Sequence, residues 1–65
     1  MDRVDMINNA LNAMHRSEKG LRVKSIAAKL GISTVALLDK RKRKYHFHES
    51  EYKTIFEDLK LPLEA

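Results

Sequence analysis

Apolar residues recur along most of the chain at the spacing of amphipathic helices. After Asp2 they fall three or four positions apart, at Val4, Ile7, Leu11 and Met14. This is the period of a helix that buries one face. Asp2 is suited to cap the first turn, and Gly20 can close the last turn in a left-handed conformation. The pattern predicts a first helix over about 2–17.

A second and a third helix are predicted in the middle of the chain. The second helix is short, with apolar positions at Val23, Ile26, Ala27 and Leu30. Gly31 ends it, because glycine readily adopts the conformation that closes a helix. Ser33 or Thr34 can cap the third helix, which continues through Leu37 into a run of basic residues.

The last third of the chain predicts a connector and a fourth helix. Residues 45–48 alternate aromatic and imidazole side chains, which indicates an extended connector, with one short strand as the alternative. Residues 49–60 place four apolar side chains on one face, at Tyr52, Ile55, Phe56 and Leu59. Pro62 follows the end of this helix. Together the segments predict an all-α fold, a compact four-helix domain over residues 1–65.

The length and composition limit the functions open to the protein. The chain has 65 residues and no cysteine, so we expect one small domain without disulfides or a thiolate zinc site. Such a domain has little room for a deep catalytic pocket, and the sequence contains no catalytic grouping or phosphate-binding glycine loop. We therefore expect neither an enzyme nor a bound cofactor. The sequence has no signal-peptide pattern and no long apolar run, which favours a cytoplasmic protein.

The net charge of +4 is concentrated in the middle of the chain. Residues 19–44 have a net charge of +8, whereas residues 1–18 and 45–65 have net charges of −1 and −3. Five of the basic residues are consecutive, namely Lys40, Arg41, Lys42, Arg43 and Lys44. The positive electrostatic potential of this segment attracts a polyanion. The alternative is that the run is only a solvated face or a flexible connector.

The same region contains a motif whose spacing suits two helices joined by a short turn. From Ile26 to Ser33 the sequence Ile-Ala-Ala-Lys-Leu-Gly-Ile-Ser resembles the helix-turn-helix regulators of bacteria and phages. Two helices that cross through a short turn need a small residue at their closest approach, and Ala27 supplies it. Gly31 allows the turn. The resemblance covers about residues 23–44, and the order of helices around this segment is similar to that of phage repressors and Cro-like proteins.

One position departs from the family pattern. Three residues after Leu37 the family has an aliphatic side chain, and this sequence has Lys40. Leu38 is a candidate to replace that core contact, in which case the third helix would be rotated. A simpler interpretation of the whole motif is a helix C-cap, because Leu-Gly followed by an aliphatic residue is common there.

The resemblance implies that the third helix lies in the major groove and that the second helix crosses the phosphate backbone. Lys24 and Ser25, at the start of the second helix, would contact phosphate together with backbone amides. Ser33 and Thr34 would open the third helix and contact either phosphate or a base. Val35 would contact a thymine methyl group if it points outward, and would pack in the core if it does not.

The basic run divides by side-chain chemistry. The planar forks of Arg41 and Arg43 match the edge of guanine. Lys40, Lys42 and Lys44 are better suited to phosphate contacts, which add affinity and salt dependence rather than specificity. The five residues complete the candidate DNA-binding set.

The connector suggests two other chemistries. His46 and His48 could chelate a metal, but structural zinc usually has four ligands and the remaining histidine, His15, lies far upstream. We expect no metal site. Tyr45 and Phe47 could stack on single-stranded bases, but two aromatic residues without a sheet are thin support for such a module. We expect Phe47 to anchor the connector to the core instead.

These observations predict a sequence-specific protein that binds double-stranded DNA and regulates transcription, in particular a small repressor of phage or mobile-element type. A domain of this size contacts few bases, so we expect a homodimer on a palindromic site, associated with the nucleoid of a bacterial or phage-infected cell. The candidate dimer surface is the acidic C-terminal part with Leu61, Leu63 and the exposed flank of the last helix. The alternative is a helical adaptor or inhibitor that binds an acidic protein surface through the basic run.

Overall fold

Four helices account for most of residues 2–62, the part of the chain that the computed structural model describes. They are α1 (Arg3–Asn12), α2 (Arg16–Leu30), α3 (Thr34–Arg41) and α4 (Glu49–Leu59). Within the described range there is no strand, and residues 45–48 form the extended connector. The predicted all-α, four-helix fold is confirmed. None of the helices in this range has the length and apolar character needed to cross a membrane.

The boundary between α1 and α2 differs from the prediction. The first helix ends at Asn12 rather than near residue 17, and α2 begins at Arg16 and is 15 residues long rather than short. Gly20 therefore lies inside α2 and does not close α1. The first turns of α2 bury no apolar side chain, and Leu21 there is 70% exposed. Hydrophobic periodicity consequently gave no sign of this part of the helix.

The remaining helix ends follow local capping chemistry. The carboxylate of Asp2 accepts a hydrogen bond from the backbone N–H of Asp5 at 2.8 Å. Ser33, rather than Thr34, caps α3, since its Oγ accepts from the N–H of Ala36 at 3.0 Å. Gly31 closes α2 in the left-handed region at φ 71°. These three predicted caps are confirmed.

The core draws on all four helices and on the connector. Its nine buried residues are Val4, Ile7, Leu11, Ile26, Ala27, Leu37, Phe47, Ile55 and Phe56. Phe47 is buried, as predicted, and its ring centroid lies 5.2 Å from that of Tyr52. Phe47 therefore holds the extended connector against the helices. Ala27 is buried where α2 joins the core, as expected for a small residue close to another helix.

The orientation of α3 is set by Leu37 and Lys40. Leu37 is 1% exposed, whereas Leu38 is 41% exposed, so the idea that Leu38 replaces the missing core contact is wrong. Lys40 takes that position itself: its side chain is 13% exposed, and Nζ lies 2.7 Å from Oε1 of Glu51 on α4. A lysine can occupy this half-buried position because its methylene chain is apolar and its ammonium group is neutralised by the Glu51 carboxylate. The helix is therefore not rotated.

The two glycines provide a matched pair of tests for the turn after α2. A Cβ added at either Gly20 or Gly31 meets no atom within 4 Å, so only the backbone conformation distinguishes them. We expect Gly31→Ala to lower the free energy of unfolding by about 1–2 kcal/mol, because a left-handed φ is unfavourable for alanine. Gly20→Ala should raise it by about 0.5–1 kcal/mol, because alanine is a better residue inside a helix. Urea denaturation of both variants checks this, and changes of the same sign would contradict the assigned turn.

The pair formed by Lys40 and Glu51 can be tested by a double substitution. Lys40→Met should lower the free energy of unfolding by about 1–3 kcal/mol, because it leaves the Glu51 carboxylate, 12% exposed, without its cation. Adding Glu51→Gln should recover most of that stability, since a glutamine side chain can still accept a hydrogen bond from the N–H of His48. Denaturant titrations measure both effects. A double variant as unstable as the single one would show that the ion pair does not govern this contact.

Candidate nucleic-acid interface

One side of α3 faces solvent along its whole length. It consists of Thr34, Val35 and Leu38, followed by Lys42 at the end of the helix, and we call these four residues the outer face of α3. Val35 is 66% exposed and so takes the outward of its two predicted orientations. Leu38 was not predicted as a surface residue. The sequence does not show which of the two adjacent leucines, Leu37 or Leu38, is buried. The available signal was spacing: Leu38 lies three residues after Val35, on the same side of a helix.

The hydroxyl groups at the start of α3 differ in their surroundings. Ser33 is exposed, but its Oγ is already engaged as the acceptor that caps the helix. Thr34 is exposed in the first turn, on the outer face. The Ser33 hydroxyl can still donate a hydrogen bond to a phosphate, because capping uses only its acceptor function.

Three residues of the basic run contact side chains from other parts of the fold. Besides the pair that Lys40 forms, Nε of Arg41 donates to Oδ1 of Asn8 at 2.7 Å, and Nδ2 of Asn8 donates to the Arg41 carbonyl at 3.2 Å. Arg41 is half-buried, and burial lowers the pKa of its guanidinium. Arg43 lies at φ 66° and forms ion pairs with Asp2 and Asp5, at 3.1 and 2.8 Å. The two arginines thus connect the end of α3 to α1.

Two lysines of the run stay available. Lys42 and Lys44 are exposed and form no ion pair within residues 2–62. The ammonium of Lys44 lies 5.9 Å from the ring centroid of Tyr45, a contact that leaves its charge accessible. The structure therefore divides the run into three side chains that pair with other segments and two lysines that have no ion-pair partner in residues 2–62.

Lys24 and Ser25 do not start a helix. Both are exposed, but they lie in the interior of α2, whose N-terminus is at Arg16. Their backbone amides are used within the helix, so the predicted amide contacts to phosphate at this point are wrong. Only the two side chains remain as candidate phosphate contacts.

Two more cations of the central segment meet on α4. Arg22 donates to Oδ1 of Asp58 at 2.8 Å, and Lys29 forms an ion pair with Oδ2 of the same carboxylate. The Asp58 side chain is only 3% exposed. Burial acts to raise the pKa of Asp58, but the hydrogen bonds from Lys29 and Arg22 outweigh it, and the pKa lies below its usual value. A charged Asp58 therefore ties α2 to α4.

Carboxylates elsewhere behave in the same way. Burial acts to raise the pKa of Glu51, but the hydrogen bonds from Lys40 and from the His48 backbone outweigh it, and the pKa is lowered. The pKa of Asp2 is lowered by the hydrogen bond from the Asp5 backbone and by that from Arg43. These acids are ionised at neutral pH. They neutralise part of the positive charge that the central segment carries.

A cleft of about 240 Å³ lies between the start of α1 and the connector. Its cationic lining consists of Arg3, Lys40 and Arg43, and each of these already has a carboxylate partner. The guanidinium of Arg3 also sits 3.9 Å from the ring centroid of Tyr52. His46 and His48 are exposed on the connector. In the described part of the chain, no three acidic or histidine residues come close enough together to hold a metal ion.

One of the two leucines in the predicted dimer surface packs within the fold. Leu61 is half-buried and packs against the core, and its N–H donates to the carbonyl of Phe56 at 2.8 Å. Leu63 lies outside the described residues. The rest of the predicted surface, the outer flank of α4, is exposed at Ser50, Lys53 and Glu57.

Comparison of the chain with known protein families, with curated proteins and with solved structures finds no match in any of the three. Its function is therefore inferred from the geometry of this chain alone.

Asp58 provides a test of the link between α2 and α4. Asp58→Asn should lower the free energy of unfolding by about 1–3 kcal/mol, because it removes a nearly buried negative charge and turns one of two acceptor oxygens into a donor that faces a cation. Glu57→Gln is the matched control: Glu57 is exposed on the same helix and forms no ion pair within the described residues, so its replacement should change little. Equal effects of the two substitutions in denaturant titrations would argue against a specific role for Asp58.

Asp58 also gives the stability of the domain a pH dependence. The pKa of Asp58 is lower in the folded chain than the value of about 3.9 for an unfolded aspartate. Its contribution is therefore complete above about pH 3.9 and disappears as the pH falls through the folded-state pKa. Acid titration should show a smaller fall in the free energy of unfolding for Asp58→Asn than for the unaltered chain.

Proposed function

We propose that this protein binds double-stranded DNA sequence-specifically and places the outer face of α3 in the major groove. One observation supports this above all: the outer face is free of core contacts, and two unpaired lysines lie at its end. Lys42 belongs to the face, and Lys44 follows it closely. Four of the other seven cations of the central segment pair with acids from the two ends of the chain, so much of the remaining positive charge lies at the end of α3.

The connection between α2 and α3 supports the same proposal. The two helices are joined by three residues, Gly31 to Ser33, with Gly31 left-handed and Ser33 as the cap. This arrangement is what the resemblance to helix-turn-helix regulators requires of the segment. An α-helix with its side chains is about 10–12 Å in diameter, so α3 fits a major groove about 12 Å wide.

The proposed roles follow from exposure. Lys42, Lys44 and Lys24 contact phosphates through their side chains, and Thr34 contacts a phosphate or a base. Arg41 and Arg43 brace the end of α3 against α1 in this proposal and do not read guanine. Their contacts to acids and to Asn8 then support the outer face from behind.

We propose further that two copies bind a palindromic site and that occupancy of the site represses transcription. One copy of α3 reaches few base pairs, and a second copy doubles the contacts without requiring a larger domain. The alternative, an adaptor that docks on an acidic protein surface through the basic run, has less support because three of the five basic residues are engaged within the fold.

Selection of bound sequences from random duplex DNA at about 150 mM salt tests the proposal. We expect enrichment of a palindrome, which would establish both specificity and the use of two copies. A pool without an enriched sequence, bound no more tightly than other polyanions, would contradict the proposal and favour the adaptor.

The lysines can be tested against a control of equal charge. The double variant Lys42→Gln/Lys44→Gln should weaken binding to the selected and to a scrambled duplex alike. It should flatten the slope of log K against log salt by about 0.9 for each phosphate that the variant no longer neutralises. Lys53→Gln/Lys60→Gln removes the same charge from exposed residues on α4 and directly after it. Equal salt slopes for the two double variants would place the DNA elsewhere.

A further inference from the structure

We infer that the outer face of α3 recognises its DNA through the 5-methyl groups of pyrimidines, thymine above all, with Val35 and Leu38 as the reading side chains. The inference rests on the proposed function and adds to it the chemical feature that the protein selects. Neither side chain is part of the buried core, since both project from α3 into solvent.

The spacing of the two side chains suits neighbouring base pairs. Residues three apart on a helix lie about 5–6 Å from each other at Cβ, and successive bases along a strand are about 3.4 Å apart. Val35 and Leu38 therefore cover one or two base steps. Thr34, which is adjacent on the same face, adds one hydroxyl and one methyl group.

The outer face has no side chain of the kind that reads purines. Guanine and adenine are read by long hydrogen-bonding side chains, most often arginine, asparagine or glutamine. None of these residues lies on the outer face of α3. Of the two arginines nearest to it, Arg41 is half-buried against Asn8, and Arg43 pairs at the surface with Asp2 and Asp5. The thymine methyl group is the one major-groove feature that an apolar side chain recognises directly.

Charge explains why DNA rather than an apolar protein groove is the fitting occupant. The cations around the face that have no anionic partner in residues 2–62 are Lys24 on α2 and Lys42 and Lys44 at the end of α3. The acid of α3 is Asp39, which is half-buried and lies four residues after Val35, on the same side of the helix. Val35 and Leu38 thus form an apolar strip with cations beside it. This arrangement is complementary to a major groove in which thymine methyl groups lie between two phosphate backbones.

The experiment replaces thymine by deoxyuridine, one position at a time, in the duplex recovered by selection. Uracil lacks only the 5-methyl group and presents the same hydrogen-bonding edge. We expect one or two positions in each half-site where the full chain binds the uracil duplex about fourfold more weakly, the factor for one methyl-sized apolar group returned to water. Placing 5-methylcytosine at a neighbouring cytosine should report any methyl contact beyond thymine.

Two substitutions assign the contact to its side chains. Leu38→Ala should bind the thymine duplex as weakly as the unaltered chain binds the uracil duplex, and should no longer distinguish them. Val35→Ala should do the same at the neighbouring position. Leu21→Ala is the matched control, because Leu21 is 70% exposed on α2 and should leave both affinities unchanged. Thermal unfolding confirms that each variant is folded.

Two results would overturn the inference, and they differ in what they say about the proposed function. If the chain selects a duplex but binds its thymine and uracil forms equally, methyl recognition is wrong while DNA binding stands. If no duplex is selected, the proposed function fails and the inference fails with it.

Discussion

The ion pair between Lys40 and Glu51 controls the orientation of α3, on which the proposed interface depends. Lys40 lies on the side of the helix that Leu37 buries, and its ammonium finds the Glu51 carboxylate at 2.7 Å. With those two positions facing inward, the geometry of an α-helix directs Val35 and Leu38 outward. The Glu51 carboxylate offsets the cost of placing the Lys40 ammonium in this half-buried position.

The same kind of pairing organises the rest of the domain. Asp58 on α4 holds two cations of α2, and Asp2 and Asp5 at the start of α1 hold Arg43. The acidic ends of the chain thus fold onto its basic middle. A small domain buries little apolar surface, so contacts of this kind at the edge of the core help to specify how the helices meet. Much of the charge left over is concentrated at the end of α3.

Much of the fold was predictable, and so was part of the candidate site. Capping residues act locally, which is why Asp2, Ser33 and Gly31 could be assigned from the chain alone. The start of α2 could not be assigned, because its first turns bury nothing and no glycine or proline marks the break after Asn12. Lys24 and Ser25 were consequently placed at a helix start that lies elsewhere. Val35 was recognised as a candidate, but Leu38 was not.

The sequence by itself determined four amphipathic segments, their main caps and a basic centre between acidic ends, since these properties belong to neighbouring residues. Only the tertiary structure decided which of two adjacent leucines is buried and which basic side chains are free. Those outcomes depend on partners distant in the chain: Glu51 for Lys40, Asn8 for Arg41, and Asp2 with Asp5 for Arg43. A run of five consecutive cations has no internal feature that separates bracing residues from exposed ones, because burial and pairing arise only when the helices pack.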